Sequence, residues 1–511
     1  MPFLLALRNL LHTPRRTLLT MAGFALGVTA MIALLSTGEA ILQQAEDRSL
    51  LGGDLVLLPA GIDVEVLRVG GATGYDFTIN NARFIQRQLL SGPLLGDRIV
   101  SASPQMKNKA LYLRRTPSVS PPYKGGETEG VRPVIVNGVL PSQEQTVNSF
   151  APRFASWRNN VEDRAWIAPP PSVLYPTMDR FHLPNPLSPL AKTWAEWHYF
   201  KWHDDAQNAY GYLSFIIGGN VAAGQGKGAV MLRASAHDER SPWYRHVANV
   251  RLSDFSTTNA NLRIGGNTVR FDGERYRVHV AFTDSSTKTP VRAELSLRPT
   301  PDLYYPPFTV RAGGGFESGY VVPALHAEVD GEISLGNRRV TLRRAHGYHD
   351  HNWGYWAAVH WDWGTASDGN YAVLYGAIYH PQLEREGLAR HFLFLSQARR
   401  GARRGGLLGM FQPDKIEVER WSVQTLQRSN AAIRVPRAIR LRARSDNGDA
   451  LNVVVDVKDV LPTPNAVPSR PGLVFLQMRG NYHVTGRVAN QRVDFRASGF
   501  SETFVNVKDE R

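Results

Sequence analysis

Val340-Thr-Leu-Arg-Arg-Ala-His-Gly-Tyr-His-Asp350 and Arg492-Val-Asp-Phe-Arg-Ala-Ser-Gly-Phe-Ser-Glu502 are two versions of one strand-like stretch, 152 residues apart. Each places a glycine before an aromatic residue, Gly347-Tyr348 and Gly499-Phe500. A second pair runs in step with the first. Trp197-His-Tyr-Phe-Lys-Trp202, followed by Tyr210-Gly-Tyr-Leu-Ser-Phe215, is echoed by Val359-His-Trp-Asp-Trp363, followed by Tyr371-Ala-Val-Leu-Tyr-Gly376. Self-similarity at a fixed spacing points to two copies of one structural unit. Between the copies lie short segments that alternate apolar and polar residues, such as Tyr276–Phe282 and Leu451–Lys458. Turn pairs punctuate them: Asp272-Gly273, Asp330-Gly331, Asp368-Gly369 and Asn447-Gly448. Alternation with period two between such turns predicts antiparallel β-structure. Two copies with many short strands suit two barrels.

The remaining chain sets the context. At 511 residues it is too long for one core, so two to four domains are expected. There is no cysteine, which excludes disulfides and thiolate metal sites. The formal net charge of +14 favours anionic partners. The densest basic cluster, Arg399-Arg400-Gly401-Ala402-Arg403-Arg404, lacks interleaved aromatics, and no nucleic-acid partner is expected. Thr17–Gly38 carries no charged residue over 22 positions, enough for a helix to cross about 30 Å of hydrocarbon. Arg8, Arg15 and Arg16 precede it, which puts Met1 in the cytoplasm and the bulk of the chain outside. The expectation is an uncleaved single span in the inner membrane, with the body on the periplasmic side.

Five segments follow: 1–38, basic segment and transmembrane anchor; 39–150, a partial α+β extracytoplasmic domain with a flexible insertion at 116–130; 151–190, a linker; 191–347 and 348–506, two β-barrels. The linker rests on APPPSVLYPTMDRFHLPNPLSPL at 168–190, where proline density argues against helix and sheet. Leu7–Val28 with Leu50–Val64 resembles the start of MacB/FtsX-type permease subunits, over about 1–145. That resemblance implies association with an ABC export system, although no further charge-free run of 18 residues follows.

Three stretches carry a second resemblance: Trp194-Ala-Glu196-Trp197-His198-Tyr199-Phe200, Gly319-Tyr320-Val321-Val322-Pro323, and Gly347-Tyr348-His349-Asp350-His351-Asn352-Trp353-Gly354. Together they resemble the AttH / hydroxyneurosporene synthase (carotenoid 1,2-hydratase, CrtC) family over about 190–506. What the resemblance implies is a mainly β fold of two tandem lipocalin-like antiparallel barrels holding a long isoprenoid or lipid. It implies catalytic positions at His351, Trp353, Tyr375 and Asp350. Ligand contacts are expected at Trp194, Trp197, Tyr199, His349, Trp356, Trp361 and Trp363. In an extended strand His349, His351 and Trp353 share one face, and Asp350 and Asn352 share the other. A barrel lumen receives one set; by the resemblance it is His351 and Trp353, with Asp350 near a rim.

The chain departs from the hydratases at one position. They resemble one another in a Tyr-x-Asp pair, whereas this chain has Tyr375-Gly376-Ala377. Asp362 is a possible substitute. Protonating an isolated alkene needs a strong, poised acid in a dry pocket, so the missing carboxylate weighs against hydration. The tryptophans read equally as core aromatics, and Glu196 as the buried partner of an arginine or a backbone amide. His349-x-His351 has zinc-like spacing, but spacing indicates no third ligand, so neither metal nor cofactor is expected. The expected function is binding of a hydrophobic small molecule or lipid by a membrane-anchored protein; the alternatives are hydration or cyclisation of a polyene, and a structural protein whose aromatics fill its own cavity.

Overall fold

The computed structural model describes residues 78–114, 131–140, 142–143, 169–236, 242–387, 389–428, 431–464 and 473–506, with Leu57 and Arg158 singly. The charge-free run Thr17–Gly38 and the insertion 116–130 lie outside the described residues. Among the described residues no helix is long and apolar enough to cross a membrane. The chain forms two compact units. One holds residues 1–77 and 103–159, the other residues 78–102 and 160–511. In the first unit the described elements are an antiparallel pair, β1 (Gln105–Arg114) and β2 (Val131–Val139). The expected domain 39–150 is thus divided. Helix α1 (Ile79–Ser91) belongs to the larger unit, where Phe84 meets Tyr304 edge-on at 5.5 Å and Gln88 accepts from the Leu407 amide at 3.0 Å.

The larger unit is built from two antiparallel sheets. The first contains β3 (Trp194–Asp204), β4 (Ala209–Gly218), β5 (Gly226–Ser235), β6 (Tyr244–Val250), β7 (Leu262–Ile264), β8 (Asn267–Phe271), β9 (Tyr276–Thr283), β10 (Pro290–Pro299), β11 (Tyr305–Ala312), β12 (Phe316–Leu335) and β13 (Arg338–Tyr355). Its order is β6-β5-β4-β3-β13-β12-β10-β9-β8-β7, with β11 also on β12. The second contains β14 (His360–Ser367), β15 (Tyr371–Tyr379), β16 (Phe392–Gln397), β17 (Gly406–Phe411), β18 (Ile416–Arg428), β19 (Ala431–Arg444), β20 (Ala450–Pro464), β21 (Leu473–Val488) and β22 (Gln491–Asn506). Its order is β17-β16-β15-β14-β22-β21-β20-β19-β18.

One plan is used twice. Three strands run in sequence outward from the first, and the last strand returns to pair with the first: β13 with β3, and β22 with β14. The repeated sequence stretches are these strands, since Gly347-Tyr348 lies on β13 and Gly499-Phe500 on β22. The boundary expected at 347/348 falls inside β13. That strand stays paired to β3 through Tyr355, so the first sheet ends there.

Each sheet curls around its own core. Val250 on β6 and Leu262 on β7, at opposite ends of the first sheet, enter one cluster with Phe200, Leu213, Val278 and Leu295. Strand β10 shows how sequence does this: Val291, Ala293, Leu295 and Leu297 turn inward, while Arg292, Glu294 and Arg298 face solvent. Each valine or leucine so buried stabilises by about 1.5–3 kcal/mol. Tyr375, Leu393, Val453, Leu476 and Val484 form the second core.

Where the sheets pack together the alternation disappears. Strand β13 alternates up to His346, then is buried almost without interruption from Gly347 to Tyr355. Burial of both faces is what a strand covered on each side shows. The covering layer is an aromatic cluster holding Tyr199, Tyr212 and Tyr348 from the first sheet with Trp363, Leu374 and Phe500 from the second.

The segment read as a proline-rich linker is instead partly helical. Helix α2 (Pro171–Met178) has proline at its first position, where the missing N–H breaks no helical hydrogen bond. It buries Leu174, Tyr175 and Met178 and hands the chain to Asp179 and Phe181, both buried.

Candidate functional site

The two faces of β13 carry two separate buried polar groups. On the inner face, inside the first sheet, stand His349 and His351. Asp179 reaches both, with Oδ2 3.0 Å from His349 Nε2 and Oδ1 2.8 Å from His351 Nδ1. His351 Nε2 contacts Glu196 Oε1 at 2.9 Å, and Glu196 also accepts the His182 amide at 2.9 Å. His198 completes the group. Its Nε2 bonds the Ala260 carbonyl at 3.0 Å and its Nδ1 lies 3.7 Å from Asp179. All five side chains are buried completely. Burial opposes the charged form of His351, but the two carboxylates outweigh it and push its imidazole up to about 9. For Asp179, burial is likewise overcome by His198, His349 and His351, and its carboxyl is held below the usual range.

On the outer face, between the sheets, stand Tyr348 and Asp350. The Tyr348 hydroxyl donates to Asp350 Oδ2 at 2.8 Å and Asn352 Nδ2 to Oδ1 at 2.9 Å. Tyr320 bonds the Tyr348 hydroxyl at 2.8 Å and accepts from Trp363 Nε1 at 2.9 Å. Burial raises the Asp350 carboxyl to about 7, against the opposing pull of Lys201 and Tyr348. Beside it, Lys201 is buried with Nζ 3.4 Å from the Trp363 ring centroid and 3.2 Å from Glu502 Oε1. Burial lowers this ammonium to about 8, although Glu502 and Asp350 pull it up. Glu502 accepts further bonds from Tyr199 Oη at 2.8 Å and Trp361 Nε1 at 3.0 Å. A void of about 20 Å³, lined by Lys201, Tyr348, Thr365 and Phe500 among others, adjoins this group. It has room for about one water molecule.

A half-buried aromatic patch leads outward from Glu502. Trp197 packs on Trp356 at 4.5 Å, and Trp361 on Phe504 at 4.8 Å and Phe475 at 5.3 Å. The packed seam between the two sheets, called the crevice below, gathers Asp350, Tyr199, Trp363, Trp197, Trp356 and Trp361 from the residues singled out in the sequence. Five others stand elsewhere. His349 and His351 are in the inner group. Trp353 lies flat between His182, stacked at 4.0 Å, and Gly319, and Trp194 packs edge-on against Tyr355 at 5.2 Å. These two tryptophans belong to the apolar cluster that anchors α2. Tyr375 is in the second sheet's core with its hydroxyl near Ser501 and Tyr482. Asp350 is not at a rim; the second sheet covers its face of β13.

Sequence reasoning missed Lys201, Glu502, Tyr320, His198 and Asp179 as functional groups. Lys201 and Glu502 sat inside the quoted repeats, a signal that could have been weighed. Asp179 was hidden in the supposed linker.

In chemical terms the crevice combines a carboxyl that can hold a proton near neutrality, a neutralised Lys–Glu pair and several π-faces. Those are the parts that protonation of an uncharged unsaturated group requires. The profile of a family described as a domain of unknown function, DUF7064, matches residues 179–489. No curated protein matches the chain. Among solved structures, similarity is found to a protein described as AttH from Nitrosomonas europaea, at 16% identity, covering 63% of this chain and 96% of that one, with a TM-score of 0.39. Kievitone hydratase from Nectria haematococca is 12% identical, over 65% of this chain and 98% of that one, with a TM-score of 0.39. CghA is 13% identical, over 67% and 97%, with a TM-score of 0.38. Likeness at this level fixes neither a reaction nor a ligand. The permease-like resemblance of residues 1–145 has no counterpart among these proteins.

Proposed function

The chain belongs to the DUF7064 family, whose description assigns no activity, and for this member we propose an acid–base enzyme of the hydratase or cyclase type. Its substrate is an unsaturated, largely hydrophobic molecule admitted to the crevice between the two sheets. The observation that carries this reading is Asp350: a carboxyl 2% exposed, hydrogen-bonded by Tyr348 and Asn352, and set among Tyr320, Tyr199 and Trp363. In the hydration form, the Asp350 O–H bond breaks and its proton adds to one alkene carbon. The π-electrons form the new C–H bond and leave a carbocation on the other carbon. Water adds there and gives its proton back to the Asp350 carboxylate, so C=C plus H₂O becomes H–C–C–OH. Tyr and Trp faces stabilise the cation. Lys201 does not oppose it as a net charge, because Glu502 neutralises it at 3.2 Å. The substrate enters over Trp197, Trp356 and Trp361 and parts the aromatic side chains of the crevice. A membrane anchor at Thr17–Gly38, proposed from the sequence, would tether the chain to a store of long apolar molecules.

A second reading, binding of a lipid or isoprenoid without turnover, is supported by the half-exposed patch of Trp197, Trp356, Trp361, Phe475 and Phe504. One experiment separates the two. The full chain in detergent is incubated with acyclic isoprenoid and polyketide-like alkenes in H₂¹⁸O, and products are followed by mass. The enzyme reading expects uptake of labelled water or an isomeric cyclised product, falling about 10²–10⁴-fold in Asp350→Asn. Saturable binding with unchanged ligand in every case would leave the binding reading. Turnover undiminished in Asp350→Asn would remove Asp350 from the mechanism.

A further inference from the structure

The inner group of β13 is not used by the chemistry above, and its hydrogen-bond bookkeeping does not close with neutral histidines. His198 Nε2 faces the Ala260 carbonyl at 3.0 Å, and His349 Nδ1 faces the Tyr199 carbonyl at 3.2 Å. A carbonyl accepts, so both of these nitrogens carry the hydrogen. In a neutral ring the other nitrogen then bears a lone pair. Those lone pairs, His198 Nδ1 and His349 Nε2, both point at the Asp179 carboxylate, at 3.7 Å and 3.0 Å. Three acceptors thus converge. His198 Nδ1 has no hydrogen-bond partner although its side chain is fully buried. The buried Tyr276 hydroxyl, neighbour to Asp179, also lacks a hydrogen bond of normal geometry.

We infer that Asp179, His198 Nδ1 and His349 Nε2 form a binding site for a divalent transition ion of the zinc class, inside the first sheet. The three ligand atoms lie within 4.8 Å of one another. Zinc bonds of about 2.0 Å at tetrahedral angles set ligand atoms about 3.3 Å apart. The Asp179 carboxylate faces both rings near that length, with one oxygen to each: Oδ2 at 3.0 Å from His349 Nε2 and Oδ1 at 3.7 Å from His198 Nδ1. Both histidines already have the outer arrangement of metal-bound imidazole, the distal N–H given to a backbone carbonyl. Spacing along the chain could not show the site, because its carboxylate comes from residue 179, 170 positions from His349. Its effect on the fold is to tie the end of α2 to β3 and β13.

The rival is that protons fill the gaps, with His349 and His351 both as imidazolium. The test uses the full-length chain purified without chelators. Elemental analysis is expected to find about one equivalent of Zn²⁺ or a similar ion per chain. Chelation should lower the melting temperature, and Zn²⁺ should restore it with the logarithm of its free concentration. Replacement by Co²⁺ should give the visible absorption of a low-symmetry four-coordinate ion, absent in His198→Ala. If His198→Ala does not fold, chelation and return of metal in the unaltered chain decide alone. A metal content under about a tenth of an equivalent after incubation with Zn²⁺, with a melting temperature indifferent to both Zn²⁺ and chelator, would overturn the assignment in favour of protons.

Discussion

Asp362 on β14 lies directly opposite Ala377 on β15. Cross-strand partners share a face, so a carboxylate does occupy the neighbourhood where the Tyr-x-Asp pattern lacks one. Its surroundings set it for a different task. Arg420 donates to Oδ2 at 2.5 Å, and Thr503 to Oδ1 at 2.5 Å. His391 and Tyr379 each reach Oδ2 at 3.1 Å. Burial works to raise this carboxyl, but the bond from His391, the Arg420 charge and the bond from Thr503 hold it well below its ordinary range. A carboxylate kept ionised by four partners is a poor proton donor. Asp350, with the opposite balance, is the better acid.

The first prediction concerns Asp362. A folded-state pKa below the unfolded value of 3.8 means that the unfolded chain binds the proton more readily in acid. The stabilisation is present above about pH 4 and is lost as pH falls toward the folded-state value. Asp362→Asn should therefore cost about 1–3 kcal/mol at neutral pH and progressively less as pH falls from about 4 toward the folded-state value. Urea unfolding across that range checks it. A cost that does not change with pH would mean that the carboxylate's charge contributes nothing.

The second prediction concerns a glycine. Tyr375 covers its cross-strand partner Gly364, and a Cβ on that glycine would lie 2.4 Å from the tyrosine ring. Gly211 under Trp202 and Gly319 under Trp353 repeat the arrangement. Gly364→Ala should displace Tyr375 and cost about 1–3 kcal/mol, as overpacking does. Unchanged stability and an unchanged Tyr375 signal in aromatic NMR would show that the ring has room to yield.

These relationships mark what the sequence could and could not reveal. The antiparallel character was legible because strands such as β10 have one wet face, and wet faces enforce alternation. The doubling was legible because Gly347-Tyr348 and Gly499-Phe500 occupy the same closing strand in both sheets. The site was legible only in part. His349, His351 and Asp350 stood out as a motif, but assigning one face to a lumen and the other to a rim ignored the second sheet, which buries the outer face as well. Lys201 meets Glu502 across 301 positions, and no local pattern encodes that. Proline density hid α2, since one of its prolines sits at the helix start, where it costs little.

A third prediction tests the doubled plan. Tyr348 and Phe500 are 4% and 3% exposed in the cluster between the sheets. Tyr348→Ala and Phe500→Ala should each destabilise by about 3–5 kcal/mol. Because both occupy one cluster, the double variant should depart from the sum of the two. Equilibrium unfolding measures all three. Losses below about 1 kcal/mol for either would assign that aromatic to the periphery.

The last prediction concerns Lys201 and Glu502. Both are buried, and each is the other's charge partner at 3.2 Å. Removing one should leave an uncompensated charge, so Lys201→Met should cost about 3–5 kcal/mol. Lys201→Met combined with Glu502→Gln should cost less than the sum of the two singles. The pH dependence gives a second readout with a definite sign. Burial pushes the folded-state ammonium down to about 8, while the ordinary value is 10.5. Between those values the unfolded chain holds the proton and the folded chain has released it, so stability from this site rises with pH. Lys201→Met should erase that rise while leaving the alkaline behaviour of the remaining groups. Difference curves of unfolding free energy between the two proteins, from pH ~7 to ~10, isolate the contribution. A flat difference would mean that Glu502 holds Lys201 protonated throughout. The crevice would then carry a fixed ion pair beside Asp350 rather than a lysine able to release its proton.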